Sequence, residues 1–192
     1  MRITTGIYKG RNIGVPKGIR PTQDKVRKAL FDILGDVEGE SFLELFAGSG
    51  GVGFEALSRG ARELVLVEQN QDCLLAIRKN IDSLAAKSCI TYPLEAEKAI
   101  AALHKDGRRF DIIFLDPPYY KDMAKKILQM LGPYDILAPD GFVVVQHFKK
   151  DSLPVENEGL VLVKEAGYGD TFLSFYRRQK KYVPDSRLSG DI

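Results

Sequence analysis

Short apolar runs alternate with segments of helical periodicity from residue 41 onward. Apolar runs rich in β-branched residues predict strands, and apolar positions three and four apart predict helices. The predicted strands are 41–47, 63–69, 88–94, 110–116 and 141–148, and the predicted helices between them are 51–60, 71–84, 95–107 and 122–131. Strands connected by helices pair as right-handed βαβ units. The pattern therefore predicts a doubly wound α/β sheet.

Both ends of the chain depart from this alternation. Residues 1–20 contain four glycines and predict a short hairpin, and "RPTQDKVRKALFDILG" after it predicts a helix with Thr22 as its N-cap. Near the other end, "GLVLVKEAGYGDTFLSFYRR" predicts two strands with no helix between them, which is an antiparallel hairpin at the sheet edge. We expect one domain over 1–192, with a basic extension and helix (1–35), a catalytic core (41–178) and a tail (179–192).

Composition and charge narrow the class of protein. The 192 residues are 44% hydrophobic, enough for a sizeable core, and no apolar run reaches transmembrane length. Cys73 and Cys89 form no CxxC pair, which argues against zinc and disulfides and fits a reducing, cytoplasmic location. Residues 1–30 hold eight basic residues and one acid, although the whole chain carries only +2. Such an arm favours a polyanionic partner, with a merely solvated segment as the alternative.

A glycine-rich segment follows the first predicted strand. "GSGGVG", from Gly48 to Gly53, fits the GxGxxG spacing between a strand and a helix, and Glu68 lies twenty residues after Gly48. These features are typical of sites for nucleoside-containing cofactors, in which the acid binds ribose hydroxyls. The spacing does not choose between a nicotinamide dinucleotide and S-adenosylmethionine, and a tight turn without a ligand is the third alternative.

Two acidic residues bear on that choice. Glu44 lies inside an apolar strand, where a carboxylate is costly to bury without a partner. A cofactor with a cationic amino-acid end, such as S-adenosylmethionine, supplies that partner, unless this face of the strand is exposed. Glu95 follows the third strand at a helix start, where it can accept a hydrogen bond from an adenine amine or interact with the helix dipole.

The stretch "FLDPPYY", residues 114–120, leaves the fourth strand in an unusual way. Asp116 stands at the carboxyl end of the strand, where ligands bind in open α/β sheets. Pro117 and Pro118 stiffen the backbone, so a carboxylate and a carbonyl can hold both hydrogens of an exocyclic base amine. The amine is then oriented to attack a methyl group on sulfur, and Tyr119 can stack on the base. A proline turn with a surface tyrosine is the alternative.

Four motifs together resemble one known family. "RPTQDKVRKALFDIL", "LELFAGSGGVGFEALSRGA", "FDIIFLDPPY" and "YGDTFLSFYR" are similar, in that order, to the bacterial 16S ribosomal RNA guanine-N2 methyltransferases of the D type (RsmD) over residues 1–178. The resemblance implies a class I, Rossmann-like methyltransferase fold with a mostly parallel seven-stranded sheet. It implies methyl transfer from S-adenosylmethionine to a guanine N2 of 16S rRNA in the assembling 30S subunit, and we expect a monomer that needs no metal.

The residue assignments combine this resemblance with the reasoning above. The expected catalytic residues are Asp116, Pro117, Pro118 and Tyr119. The expected cofactor-binding residues are Glu44, Phe46, Ala47, Gly48, Gly50, Glu68, Glu95 and Asp116. The expected RNA-binding residues are Lys9, Arg11, Arg20, Thr22, Arg27 and Tyr119, with structural acids as the other possible partner of Arg27. The chain departs from the family pattern in having Glu44 and Glu95 where aspartate is usual, and Lys28 where glutamate is usual.

Three other functions are compatible with some of these motifs. DPPY also occurs in DNA adenine-N6 methyltransferases, but these normally carry a target-recognition insert for which no gap is long enough here. A nicotinamide oxidoreductase would use GxGxxG and give residues 116–119 no role. An RNA-binding protein without activity would not be expected to keep DPPY intact.

Overall fold

The computed structural model describes residues 1–19, 21–118 and 122–179. The helices are α1 (Asp24–Leu34), α2 (Gly51–Ser58), α3 (Gln71–Leu84), α4 (Ala96–Lys105) and α5 (Met123–Leu131). The strands are β1 (Ser41–Leu45), β2 (Glu63–Val67), β3 (Cys89–Tyr92), β4 (Phe110–Leu115), β5 (Leu137–Phe148), β6 (Glu156–Asn157), β7 (Leu160–Tyr168) and β8 (Thr171–Arg178). Every helix and strand predicted from the hydrophobic pattern is present within a few residues of its predicted bounds.

The strands form one sheet in the order β3-β2-β1-β4-β5-β8-β7-β6. The pairs from β3 to β5 are parallel, and β8, β7 and β6 are added antiparallel. The predicted doubly wound sheet with an antiparallel C-terminal hairpin is confirmed. The described sheet has one strand more than the expected seven, because β6 is added at its far edge. β6 is only two residues long, so the sequence shows no alternating pattern there.

The direction of winding reverses between β1 and β4. The chain proceeds from β1 outward to β2 and β3, and then returns to the other side of β1 to form β4 and β5. The connections on the two sides therefore diverge at the carboxyl ends of β1 and β4 and leave a crevice there. In open α/β sheets this switch point is where ligands bind.

Two apolar layers cover the sheet. One face packs against α1, α2, α3 and the N-terminal arm, and includes Phe31, Phe42 and Phe54. The other face packs against α4 and α5, and includes Leu43, Ile100 and Leu128. Because successive strand residues point to opposite faces, membership of these layers tells which way each strand residue points.

The N-terminal arm, residues 1–19, is anchored to the first of these layers. Ile3 and Ile13 are buried, and a single antiparallel bridge between Arg2 and Asn12 is the remnant of the predicted hairpin. The backbone N–H and the hydroxyl of Thr4 both donate to the buried carboxylate of Glu55, at 2.8 and 2.6 Å. The arm is thus a packed part of the fold rather than a free basic tail.

The helices of the described ranges are short. The longest, α3, has 14 residues, whereas a membrane-crossing helix needs about 20 apolar residues. No helix in the described part of the chain has the length and hydropathy to span a membrane.

Candidate active site

Four polar side chains lie in a row along the carboxyl edge of the sheet. Glu68, Glu44, Asp116 and Gln146 belong to β2, β1, β4 and β5 or directly follow them, and these strands are consecutive in the sheet. The residue two positions before each one packs in the layer beneath α1–α3, namely Leu66, Phe42, Phe114 and Val144. The period of two therefore directs all four polar side chains toward that same face.

A cavity of about 790 Å³ lies over three of them. It is bordered by Glu44, Glu68 and Asp116, and we call it the acidic cavity. The loop from Phe46 to Ser49 forms its floor, and Gly18 and Ile19 of the N-terminal arm lie along its border. Its volume is in the range of small-molecule and cofactor sites.

Gly48 and Gly50 of the glycine-rich segment have different roles. Gly48, with φ of 55°, borders the acidic cavity and donates its N–H to Glu68 Oε2 at 2.7 Å. Gly50, with φ of 77°, precedes α2, and a Cβ added there would lie 2.7 Å from a ring carbon of Phe54. Gly50 is not among the described residues that border the acidic cavity, and its cofactor contact stays a prediction. Its glycine is required by backbone conformation and close packing.

The loop also stores backbone strain beside the cavity. Phe46 has φ of 59°, in the left-handed region that a bulky side chain seldom adopts. Ala47, the next residue, borders the cavity, and its N–H donates to Val67 O at 3.0 Å. Residues held in such conformations by their surroundings cluster at functional sites.

Glu68 is held by three backbone groups. Besides Gly48, the N–H groups of Gln69 and Asn70 donate to its Oε1, each at 2.8 Å. The side chain is thus fixed at the cavity border, as expected for an acid that positions ribose hydroxyls.

Glu44 is buried, with 4% of its surface exposed, so the alternative of a solvated glutamate is wrong. Its pKa is raised to about 8, mainly by burial and further by the negative charges of Asp116 and Glu68, against the lowering effect of the N–H groups of Gly53 and Val52. Glu44 Oε2 accepts the N–H of Gly53 at 2.8 Å. A cation in the acidic cavity would favour the ionised form of this carboxyl.

Asp116 lies where the acidic cavity meets a second one. Burial raises the pKa of Asp116 to about 7, and hydrogen bonds from the Thr22 hydroxyl and the Gln146 amide oppose that rise. Thr22 Oγ1 donates to Asp116 Oδ2 at 3.3 Å, and Gln23 occupies the N-cap position of α1. The prediction of Thr22 as a helix cap is wrong because its hydroxyl turns toward the site instead.

The second cavity, of about 550 Å³, lies on the other side of Asp116. Its walls are the start of α1, the Asp116–Pro118 segment, Gln146 and the β7–β8 turn at 168–171, and we call it the hairpin cavity. Lys25 is exposed on its border. Thr22, Asp116 and Pro118 border both cavities. Pro117 borders the hairpin cavity but not the acidic cavity.

Glu95 lies apart from the acidic cavity. It borders a small groove of about 170 Å³ together with Phe46 and Glu68, and pairs with Lys98 at 3.1 Å. Half of its side chain is exposed. Because Phe46 and Glu68 border both spaces, this groove continues the acidic cavity along the sheet edge, and an adenine contact of Glu95 stays a prediction.

The predicted RNA-binding residues fall in three different environments. Lys9 and Arg11 are exposed, and Arg11 donates to Ser83 O near the end of α3. Because α3 starts beside the acidic cavity and 14 residues span about 21 Å, this contact lies at the opposite edge of the sheet. Lys9 and Arg11 are therefore remote from Asp116, and their RNA contact stays a prediction.

Arg27 is buried, with 1% of its surface exposed. It pairs with Glu55 at 3.5 Å and Asp24 at 3.1 Å and donates to Arg2 O at 2.7 Å. The predicted RNA contact of Arg27 is wrong because these partners hold the guanidinium inside the fold. Arg20 and Tyr119 lie outside the described residues.

Two amide side chains at the site were missed by sequence reasoning. Asn80 is buried on α3, accepts from Gly14 N at 2.8 Å and donates to Ser49 O at 3.1 Å, which connects the arm to the glycine loop. Gln146 is buried beside Asp116. The available signal was the one that identified Glu44, a polar residue in an apolar run, here "FVVVQHF".

The fold and the site together define a class of protein. A doubly wound parallel sheet with an antiparallel hairpin, a glycine loop and an acid after β2 is the architecture of S-adenosylmethionine-dependent methyltransferases, and the predicted fold class is confirmed. The family model described as "Conserved hypothetical protein 95" matches residues 1–177. The chain belongs to this family, and the resemblance to methyltransferases of the D type is confirmed.

Individual relatives cover nearly the whole chain. The ribosomal RNA small subunit methyltransferase D of Escherichia coli K12 is 30% identical over 189 residues, which are 97% of this chain and 94% of the relative. The YlbH protein of Bacillus subtilis is 36% identical over 93% of this chain and 100% of its own length. The solved structure of Escherichia coli YhhF superposes with a TM-score of 0.83 at 30% identity, covering 93% of this chain and 98% of that protein. S-adenosylmethionine is accordingly the cofactor that these relatives imply.

Proposed function

We propose that this protein transfers a methyl group from S-adenosylmethionine to the exocyclic N2 amine of a guanine in 16S ribosomal RNA. The observation that carries the proposal is the position of Asp116, on the border between the acidic cavity and the hairpin cavity. A carboxylate in that position can contact groups that enter from both sides. The similarity to small subunit methyltransferase D supports the choice of RNA.

The acidic cavity fits the proposed cofactor. When bound there, S-adenosylmethionine supplies an electrophilic methyl group on a positively charged sulfur. Glu44, Glu68 and Asp116 place three carboxyl groups around one space, and burial together with the repulsion of Glu44 by the other two makes the cavity favour a cation. Glu68, fixed by three N–H groups, is placed to bind ribose hydroxyls.

Asp116 and the Pro117 carbonyl orient the attacking amine. A base amine is a weak nucleophile because its lone pair is delocalised into the ring. Two acceptors that each take one amine hydrogen localise this lone pair and direct it at the methyl group. The new carbon–nitrogen bond forms as the carbon–sulfur bond breaks, and the sulfur becomes a neutral thioether. The methylated nitrogen then loses a proton, which the Asp116 carboxylate can accept.

Thr22 and Gln146 support this role of Asp116. Both donate hydrogen bonds to its carboxylate and thereby favour the ionised form that accepts from the amine. Residues that orient a catalytic carboxylate hold its geometry fixed before the substrate arrives.

Product analysis tests the function. The protein is incubated with methyl-labelled S-adenosylmethionine and, separately, with 30S particles, naked 16S RNA and duplex DNA from cells that lack it. We expect label in N2-methylguanosine from the RNA or the particles and none in DNA. Label in N6-methyladenine, or no transfer to any pool, would contradict the proposal.

The proposal extends to the oligomeric state of the protein, its location in the cell and the assembly stage of its substrate. We propose that residues 1–192 act as a single domain and as a monomer, in the cytoplasm, on a 30S particle during assembly. Light scattering at micromolar concentration tests the monomer, with a mass near 21.4 kDa as the expected result. A faster methylation of partly assembled particles than of mature ones tests the assembly stage.

A further inference from the structure

The side chain of Gln146 has one hydrogen-bonding group without a partner. The residue is 5% exposed and borders the hairpin cavity. Its carbonyl oxygen Oε1 is closed to solvent and has no hydrogen-bond partner in the described part of the chain. Buried polar atoms without partners are rare, and each costs about 1–3 kcal/mol. Such an atom beside a catalytic carboxylate indicates that its partner arrives with the substrate.

Asp116 determines which way the Gln146 amide faces. The two residues are neighbours across β4 and β5, one position beyond the registered pair Leu115 and Val145. The hydrogen bond from Gln146 lowers the pKa of Asp116 and so favours its ionised form, which means that the NH₂ of Gln146 donates to the carboxylate. The carbonyl end of the amide is then left to face another group, and it can only accept from that group.

We infer that Gln146 selects guanine by accepting the N1–H of the target base. This inference rests on the proposed function, in which Asp116 and the Pro117 carbonyl hold the two hydrogens of the base amine. In guanine the carbon that carries the amine lies between N1–H, which is a donor, and N3, which is an acceptor. In adenine and cytosine the ring nitrogen next to the amine is an acceptor. An acceptor placed beside the amine-binding pair therefore bonds to guanine and repels the other two bases.

A buried hydrogen-bond acceptor can discriminate strongly between bases. A site built around a substrate hydrogen bond rejects an analogue that lacks it by about 10⁴–10⁵ in favourable cases, because a buried partner is left unpaired. Hydrogen bonds at active sites are often incomplete without substrate and form in the complex. Because Gln146 Oε1 is closed to solvent and its residue borders the hairpin cavity, the inference requires the side chain to rotate on base entry.

A modified base separates this role from a purely structural one. 2-Aminopurine carries an amine at the same position as guanine but has an acceptor at N1 and lacks O6. We compare guanosine and 2-aminopurine ribonucleoside at the target position of the RNA, by single-turnover rate, for wild type and Gln146→Met. We expect the wild type to prefer guanosine by at least about a hundredfold, and the variant to reduce this preference to below about tenfold. The missing O6 affects both proteins equally and cancels from the comparison.

Several outcomes overturn the inference. A variant that slows both bases by the same factor would show that Gln146 only positions Asp116. Equal wild-type rates on the two bases would exclude base selection through N1 altogether. If the wild type does not methylate guanosine at all, the proposed function fails, and this result is distinct from an unchanged preference in the variant.

Controls cover folding of the variant. Thr91→Val, on β3 and four strands from β5, removes a buried hydroxyl oxygen that also has no partner in the described ranges, and it should keep the wild-type preference. If Gln146→Met does not bind S-adenosylhomocysteine or has lost its melting transition, Gln146→Asn replaces it. Asparagine keeps the amide but withdraws the oxygen by one carbon–carbon bond, so the preference for guanosine should again fall. A preference that survives in the asparagine variant would contradict the inference.

Discussion

The acidic cavity and the hairpin cavity share Asp116 but differ in charge and in assembly. The acidic cavity has three carboxyl groups from neighbouring strands and a loop whose residues are close in sequence. The hairpin cavity is bordered by Asp116 and Gln146 together with Lys25 and Asp170, and its walls come from four separate parts of the chain. The first suits a compact cation, and the second suits a neutral base on a phosphate backbone. One carboxylate can serve both because it lies at their junction.

The largest effect is expected from a change of Asp116, the residue that both cavities share. Asp116→Asn keeps the size of the side chain but replaces one acceptor oxygen by a donor, which cannot hold an amine hydrogen. We expect the single-turnover rate of methyl transfer to fall by about a thousandfold or more. The affinity for S-adenosylhomocysteine, measured by calorimetry, should change by less than about tenfold because Glu44 and Glu68 remain.

The control for this variant is Asp106→Asn, an exposed aspartate at the end of α4. It should leave both rate and affinity unchanged. If Asp116→Asn transferred methyl groups at the wild-type rate, Asp116 would not be the residue that holds the amine.

The charge of the acidic cavity makes cofactor binding depend on pH. The pKa of Asp116 is raised to about 7 and that of Glu44 to about 8, so both are partly protonated near neutrality in the free protein. A bound cation favours their ionised forms, so protons must be released when it binds at low pH. We expect the affinity for S-adenosylmethionine to rise about tenfold or more from pH 5.5 to 7.5 in calorimetric titrations.

A second ligand and a variant test whether the carboxyl groups cause this pH dependence. S-adenosylhomocysteine lacks the sulfonium charge and should show a smaller rise over the same range. Glu44→Gln removes one of the two groups and should flatten the rise for S-adenosylmethionine. An affinity that does not change with pH would show that these carboxyls are not coupled to the ligand.

The same pKa values predict the opposite trend for the stability of the free protein. A carboxyl with a higher pKa in the folded chain stabilises the fold below its unfolded pKa and loses this contribution as pH rises through the folded value. Buried His147 has a lowered pKa and gives the opposite dependence, so the carboxyl contribution is measured against Glu44→Gln. Between pH 5 and pH 8 the melting temperature without ligand should fall more, or rise less, in the wild type than in Glu44→Gln, and saturating S-adenosylmethionine should reduce this difference. The same change with pH in both proteins would contradict a buried, protonated Glu44.

Alanine substitutions at Gly48 and Gly50 should have smaller effects, which differ between stability and cofactor binding. Gly50→Ala introduces a Cβ into a left-handed backbone position and against Phe54 and Leu66, so we expect a loss of about 2–4 kcal/mol in the free energy of unfolding. Among the described residues, the Cβ of Gly48→Ala meets only Ile19, at 3.7 Å, and the variant should cost about 1 kcal/mol. Although Gly48→Ala costs less stability than Gly50→Ala, it should weaken cofactor binding more. Equal effects of the two variants on binding would mean that both glycines face the cofactor.

The smallest expected effects concern the basic residues around the hairpin cavity. Lys25 and Lys28 are exposed on α1, and Lys25 borders the cavity. Changing both to alanine should reduce the salt dependence of RNA binding by about one to two in the log–log slope. The matched variant Lys9→Ala with Arg11→Ala changes charges at the opposite edge of the sheet and should have the weaker effect. A larger effect at Lys9 and Arg11 would mean that the RNA contacts that far edge.

The difference between the cavities also explains which parts could be predicted from the sequence. The strand–helix alternation, the glycine loop and the acids Glu44 and Glu68 depend on local patterns, and the structure places these acids together. Thr22 was assigned to a helix cap because a local signal exists for caps, whereas its contact with Asp116 spans 94 residues. Arg27 was assigned to RNA because charge is visible in a sequence and burial is not. Gln146 was missed because an uncharged amide in an apolar strand is a weaker signal than a carboxylate.

Cofactor and base are expected to approach Asp116 from the two cavities. A crystal structure of the protein with S-adenosylhomocysteine and a guanine-containing RNA fragment is the decisive test. We predict the cofactor product in the acidic cavity against Glu44 and Glu68, and the guanine in the hairpin cavity with its amine on Asp116. A guanine bound elsewhere, or a cofactor product in the hairpin cavity, would contradict the account.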